Sequence, residues 1–287
     1  MSHSTQRFTF VRCRRCELVY LNPRVPEALI GSWYGADYLP HRGDAAWGRY
    51  AGLAAEGQRR TDRTRVSRTM SAADLNGSSR VLDVGCGRPT FLEALYRRSG
   101  ARGVGVDFSD AGWRADPPRW AAASLELHMG RLEDVGLSGR FNAITMWHAL
   151  EHDYRPLETL RRLRALANPG GTILVEVPNH DALTRRLHGP AWAGYHTPRH
   201  TAVFTPQTLG AILERAGWQI VRSQAYGTMD PYVVWWLGRQ ERTGRHLDVD
   251  LGRRFPAFML GKLATLPVAA AQRWVSLGVQ LAVARAG

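Results

Sequence analysis

The sequence predicts an α/β fold: a seven-stranded, mostly parallel sheet flanked by helices, with an N-terminal lid and a helical insertion before the last strand. Two observations carry this expectation. From Ser79 onward, short β-rich runs alternate with helical stretches, the pattern that builds a parallel sheet with helices on both faces. The first of those runs, Arg80 to Val84, passes through a tight glycine turn directly into a helical stretch. Size agrees, since 287 residues, 44% hydrophobic and 22% charged, supply apolar material for one large core and exclude disorder, collagen or a disulfide-stapled miniprotein.

Residues 1–70 lack the alternation. They read as a Cys-containing β-hairpin, a Trp/Tyr/Gly-rich loop holding Tyr34 and Tyr38, and an Arg-rich helix from about Ala45 to Met70, together forming a lid. Residues 71–287 make the main domain. Its predicted strands are Arg80–Val84, Gly103–Val106, Leu125–Met129, Phe141–Met146, Thr172–Val177, Gln219–Ser223 and Val279–Val283. Its helices are predicted at Thr90–Arg98, Pro156–Ala167 and Pro206–Ala216, with leucines recurring at three and four in LETLRRLRAL. Gly100, Gly170-Gly171 and Gly217 sit where helix stops belong. After the second strand, Pro117-Pro118 interrupts GWRADPPRWAAAS, so a short, broken helix is expected there. Residues 228–276 form an insertion too long for a hairpin loop, rich in Trp and apolar side chains.

A net charge of +13 would ordinarily point toward nucleic acid or anionic lipid. Of the 38 basic residues, however, all but Lys262 are arginine, and they are spread along the chain; no nucleic-acid partner is expected. Three cysteines, Cys13, Cys16 and Cys86, form no disulfide framework, which suits a reducing compartment. The start lacks an apolar signal core, and no stretch approaches the roughly 20 apolar residues of a spanning helix. A cytoplasmic protein without a transmembrane segment is expected. The apolar stretch from Phe255 to Val268, with Trp235-Trp236, reads as core, an acceptor wall, a dimer contact or a peripheral membrane helix.

Chemistry concentrates in RVLDVGCGRPTFLEAL, Arg80 to Leu95. Gly85 and Gly87 let the backbone approach a ligand without a Cβ collision, and the following helix aims free amide donors at it. Asp107 closes the second strand in GVGVDFS, the position from which an acid grips a ribose diol in a doubly wound fold. Nicotinamide and adenosyl cofactors both use that arrangement. The dinucleotide fingerprint wants a third glycine where Thr90 stands, which counts against a nicotinamide-dependent oxidoreductase.

The combination instead resembles the class I S-adenosylmethionine-dependent methyltransferases, in their small-molecule branch. The resemblance continues through GRLEDVGL, Gly130 to Leu137, through the "LEH" edge and PGG-led strand between Phe141 and Asn179, and through PRHTAVFTPQTLGAILERAGW, Pro198 to Trp218. It implies a Rossmann-like fold, S-adenosylmethionine as cofactor, and methyl transfer to a small-molecule, natural-product or saccharide acceptor. Carried over residue by residue, it places Asp83, Gly85, Cys86 and Gly87 at the methionine end, with Cys86 a small space-filler. Asp107 would meet the ribose and Phe108 the adenine, Leu132 and Glu133 would frame the adenine, and Trp147 and His148 would lie under the sulfonium. Pro89 replaces a small glycine of the pattern, at a first-turn position where proline costs little. Arg131 stands where many relatives have aspartate. CRRCELVYLNPR, Cys13 to Arg24, looks like half of a zinc ribbon; with only two suitably spaced thiols, and His3 distant, no metal is expected.

Positioning dominates methyl transfer, and a general base matters if the acceptor is a hydroxyl or a protonated amine. Histidine suits that task. His148, at a strand's carboxyl end, is the first candidate and His200 of the "PRH" loop the second. Glu151 and His152 could equally cap their turn, and Pro198 between His196 and His200 argues against a helical metal pair. A non-catalytic partner-binding module is the remaining alternative, disfavoured by Gly85, Gly87 and Asp107 together. Acceptor identity and oligomeric state are not written in the sequence.

Overall fold

The computed structural model describes residues 7–34, 43–243 and 251–287. Seven strands form the main sheet: β3 (Arg80–Val84), β4 (Arg102–Asp107), β5 (Glu126–Met129), β6 (Phe141–Trp147), β7 (Ala167–Pro178), β9 (Trp218–Gln224) and β10 (Val279–Ala286). Their order is β5-β4-β3-β6-β7-β10-β9. β3 to β7 pair in parallel, whereas β10 runs antiparallel to both β7 and β9. The order reverses between β3 and β6, so the crevice at their carboxyl ends is where an open α/β sheet binds ligands.

Alternation along each strand divides the core in two. Leu82, Ile144, Ile173 and Val175 face one side with Leu160 and Leu163 of helix α4 (Pro156–Leu166) and Leu209 and Leu213 of α6 (Pro206–Arg215). Val81, Ala143 and Leu174 face the other, against Val66 of α1 (Ala51–Ala72) and Phe91, Leu92 and Leu95 of α2 (Thr90–Ser99). Gly100 stops α2 in the left-handed conformation, φ 73°.

Three local departures from expectation have plain causes. The Arg-rich helix begins at Ala51 rather than near Ala45, because Gly48 (φ 53°, ψ −128°) breaks the preceding 3-10 segment Gly43–Tyr50. β7 starts at Ala167, with the Asn168–Gly171 bend joined to it and a register shift opposite Phe141 and Ala143. Helix α3 (Pro117–Ala122) is short, as the prolines imply, but they open it rather than interrupt it; Asp116 caps it by accepting from the Arg119 amide at 3.3 Å.

The N-terminal hairpin, β1 (Phe10–Arg12) and β2 (Val19–Leu21), pairs with β8 (Ala202–Val203) into a separate three-stranded sheet. Between β9 and β10 lie α7 (Pro231–Arg242), α8 (Phe255–Ala264) and α9 (Leu266–Ala270). They pack on the N-terminal segment through Trp47, whose ring lies 5.3 Å from Phe258, and Tyr50, stacked on Phe255 at 4.5 Å. No described helix is long and apolar enough to cross a membrane.

Candidate active site

A cavity of about 1240 Å³ opens at the carboxyl ends of β3, β4 and β6. Its floor is the glycine turn. Gly85 (φ 74°) donates its amide to Val106 O at 2.8 Å, and a Cβ there would sit 2.7 Å from Ala149 Cβ. Gly87 (φ 49°) donates to Asp107 Oδ2 at 2.8 Å, and a Cβ there would meet nothing within 4 Å. The first glycine is needed by the fold, therefore, and the second leaves room for a ligand. Asp107 Oδ1 also accepts from the Ser109 amide at 3.1 Å, which fixes the carboxylate at the cavity edge.

Of the expected cofactor residues, Gly85, Gly87, Asp107, Phe108, Leu132, Glu133 and Trp147 line this cavity. Asp83 and Cys86 are not among the lining residues. Asp83 is buried and accepts from Thr145 Oγ1 at 2.6 Å; burial pushes its carboxyl up to about 7. The Cys86 thiol packs against β4 where a Gly105 Cβ would lie, 2.8 Å from that position, so it fills space behind the turn. Phe108 is half exposed and meets Tyr34 at a ring distance of 4.8 Å. Glu133 turns to the Arg155 guanidinium at 2.8 Å, while Arg131 pairs with Glu27 of the N-terminal segment. Tyr38 and His3 lie outside the described residues.

Next to Trp147 is a buried ionic cluster. His148, in the left-handed region at φ 58°, has Nε2 2.9 Å from Glu176 Oε1 and Nδ1 3.4 Å from Glu151 Oε1. Burial works to lower the pKa of the ring, but its close contacts with the Glu151 and Glu176 carboxylates outweigh it and raise the pKa to about 9. Such a ring carries its proton near neutrality, which weighs against its use as a base. Glu176 is tied down further by the Thr228 amide at 2.6 Å and hydroxyl at 2.9 Å. Glu151 has no such support: fully buried, it lines the cavity, and neither carboxylate oxygen has a hydrogen-bond partner among the described residues. Among the described residues its ion pair is the looser one with His148, at 3.4 Å.

Three more histidines complete this wall. The His152 and His200 rings are perpendicular at 4.5 Å, and His196 and His200 at 5.1 Å. His200 Nδ1 donates to Gly194 O at 2.7 Å, and His152 Nδ1 lies 2.9 Å from the Tyr34 hydroxyl. Burial drives all three toward the neutral form, His200 down to about 3. Glu151, His152 and His200 each offer a ligand atom, all within 4.8 Å of one another. One carboxylate and two neutral imidazoles can hold a divalent transition metal.

Sequence reasoning missed Glu176 and Arg65. A lone glutamate inside the apolar run TILVEVP was a usable signal, because a charge in a buried strand needs a partner. Arg65, one arginine among many on α1, carried none. It lines the cavity with its guanidinium 5.1 Å from the Trp147 ring, and its Nε donates to Thr228 Oγ1 at 3.3 Å.

Residues 55–223 match the family described as a methyltransferase domain. A ubiquinone biosynthesis O-methyltransferase of Pseudomonas aeruginosa (strain UCBPP-PA14) is 28% identical over 157 residues, covering 49% of this chain and 65% of the relative, so the match leaves about a third of that relative's length unspanned. The protein of that name from Aeromonas salmonicida (strain A449) is 25% identical over 186 residues, 60% of this chain and 73% of the relative. Among solved structures, Burkholderia thailandensis 1,6-didemethyltoxoflavin-N1-methyltransferase, bound to 1,6-didemethyltoxoflavin and S-adenosylhomocysteine, aligns with a TM-score of 0.54 at 16% identity, covering 98% of this chain and 99% of its own. A mycolic acid cyclopropane synthase complexed with S-adenosylhomocysteine aligns with a TM-score of 0.53 at 14% identity, covering 77% and 82%.

Proposed function

The chain belongs to the methyltransferase-domain family, and on that premise we propose that it is a class I enzyme that methylates a small-molecule acceptor seated against Glu151, with S-adenosylmethionine as donor. The observation that carries the reading is the cavity itself: a glycine floor with room at Gly87 and the Asp107 carboxylate at its edge open onto the buried Glu151 carboxylate, whose oxygens lack a hydrogen-bond partner among the described residues. When bound, S-adenosylmethionine supplies a sulfonium methyl group for in-line displacement.

The chain's own residues divide the remaining work. Asp107 would accept from the ribose hydroxyls, Phe108 and Leu132 would flank the adenine, and Arg65 would supply a positive charge for the carboxylate of the methionine end. Trp147 closes the floor beside them. His148, as an imidazolium, holds Glu151 and Glu176 in place. Glu151 accepts the acceptor's O–H or N–H, orienting the nucleophile and receiving its proton as the new bond forms. A weak base suffices for a hydroxyl acceptor, because the methylated oxonium is a far stronger acid than a carboxylic acid; a methylated ammonium would instead release its proton to solvent. The outer wall is apolar, with Met229, Val234, Leu237 and Val279, which favours an acceptor with an apolar body over a saccharide.

A second reading rests on the same orphaned oxygens: a divalent ion held by Glu151, His152 and His200 would polarise the acceptor in place of direct proton transfer. The two are separated by one experiment. Purified protein is incubated with labelled S-adenosylmethionine and a panel of phenolic, alcoholic and amine acceptors, with and without chelator. Glu151→Gln is expected to reduce methyl transfer by about 10²–10⁴-fold while sparing S-adenosylhomocysteine affinity. Full activity in that variant would remove Glu151 from the reaction, and loss on chelation with recovery on adding metal would select the second reading.

A further inference from the structure

One part of the molecule contributes nothing to the cavity and is not folded away. Leu260, Leu263, Leu266, Val268, Trp274 and Val275 are all exposed, Leu260 at 70% and Trp274 at 81%. The inner face of α8, Phe255 and Phe258, packs on Trp47 and Tyr50, which leaves Leu260 and Leu263 on an outer face that no described residue covers. Helix α5 (Leu183–His188) extends the patch. Its Leu183 amide donates to Ser276 O at 2.8 Å, which sets the exposed Leu183 next to the Val275–Ser276 segment, with the exposed Leu187 one turn further along α5. Eight large exposed apolar side chains thereby fall on three short helices and the segment that follows them. A contiguous apolar patch of this kind marks an interaction site.

The charge around it selects the partner. Residues 251–276 contain Arg253, Arg254, Lys262 and Arg273 and not one acidic residue, and α5 adds Arg185 and Arg186, against the single exposed acid Asp181 just before it. Lys262 is paired with Asp230 at 2.7 Å, but Arg185, Arg186 and Arg273 form no ion pair among the described residues. A second copy of this chain would bring like charge against like, and its net charge of +13 makes that worse. Spanning is excluded as well, because α8 has ten residues and α9 five. What fits leucines, valines and a tryptophan rimmed by arginines is the interface of an anionic bilayer, with the apolar side chains among the acyl chains and the guanidiniums at the phosphates.

We propose that the α5, α8 and α9 surface docks the protein peripherally onto anionic phospholipid. Helix α7 links this surface to the reaction: it packs on α8 through Tyr232 and Trp236, and its Val234 and Leu237 line the cavity. A docked molecule thus holds its acceptor wall next to the lipid. The docking itself does not depend on methyl transfer, so either claim can fail without the other.

The test is co-sedimentation of the full chain with vesicles of phosphatidylcholine alone and of equal parts phosphatidylcholine and phosphatidylglycerol. Binding to the mixed vesicles, weakened by salt and absent from the neutral ones, is expected. Leu263→Ser with Trp274→Ser should weaken it by about tenfold or more, and Arg186→Gln with Arg273→Gln should reduce its salt dependence, while circular dichroism and S-adenosylhomocysteine affinity stay unchanged. No binding to mixed vesicles, or binding unaffected by the Leu263/Trp274 pair, would overturn the proposal. So would a concentration-dependent dimer dissolved by that pair, which would make the patch an interface between copies.

Discussion

Replacing Asp107 by alanine separates the carboxylate's structural contacts from the ribose contact proposed for it. Its oxygens accept from the Gly87 amide at 2.8 Å and the Ser109 amide at 3.1 Å, and they stand where the ribose of the proposed cofactor would lie. A hydrogen bond to an ionised group is worth about 1.5–3 kcal/mol, so loss of the ribose contact alone should weaken S-adenosylhomocysteine binding about 10- to 150-fold. The same substitution leaves two turn amides without their acceptor, which should lower the stability of the ligand-free protein by about 1–3 kcal/mol. Calorimetric titration measures the first effect and urea unfolding without ligand the second. Asp107→Asn keeps one acceptor oxygen and should fall between wild type and alanine in both. If affinity stayed within about twofold of wild type while the turn was destabilised, the carboxylate would be a structural brace and the ribose assignment would be refuted.

The two glycines of the turn should respond differently: Gly85→Ala should destabilise the protein by at least about 1–2 kcal/mol, from its left-handed backbone and the 2.7 Å approach to Ala149, whereas Gly87→Ala should cost less stability and more ligand affinity. Thermal melts with and without S-adenosylhomocysteine separate them. Stability should also fall at alkaline pH. The His148 pKa is raised from 6.5 to about 9, so its contribution is complete below 6.5 and lost as pH rises through 9. The size of that loss is at most about 3 kcal/mol. Urea titrations between about pH 7 and pH 10 should show the decline, and His148→Gln should flatten it. His200 works in the opposite direction: burial lowers it to about 3, so its contribution is present above 6.5 and disappears as pH falls toward 3. A His200→Phe variant should therefore lose less stability on acidification than wild type, read by the same titration.

Much of the fold was legible because it is written in local chemistry. Strands such as Arg80–Val84 and Phe141–Trp147 are apolar runs bounded by turn residues, and Gly85 and Gly87 stand where the chain turns with positive φ. Boundaries were lost where one residue decides, as at Gly48, or where a bend is absorbed into a strand, as at Asn168–Gly171. The site was legible in its positions and less so in its chemistry. His148 and Glu151 could be placed at a strand end by pattern alone. That His148 is clamped from both sides could not be read, because Glu176 comes from a strand 28 residues later and Thr228 from a loop 52 residues beyond that. Arg65 was invisible for the same reason, since only tertiary packing brings α1 over Trp147.

The central claim, that the cavity above Gly87 and Asp107 holds S-adenosylmethionine, is tested most directly by calorimetric titration of the purified protein with S-adenosylhomocysteine and NAD in parallel. Saturable micromolar binding of the adenosyl ligand, weakened in Asp107→Ala, with no heat from NAD, is the expected result. Binding of NAD alone, or S-adenosylhomocysteine affinity indifferent to both Asp107→Ala and Gly87→Ala, would contradict it.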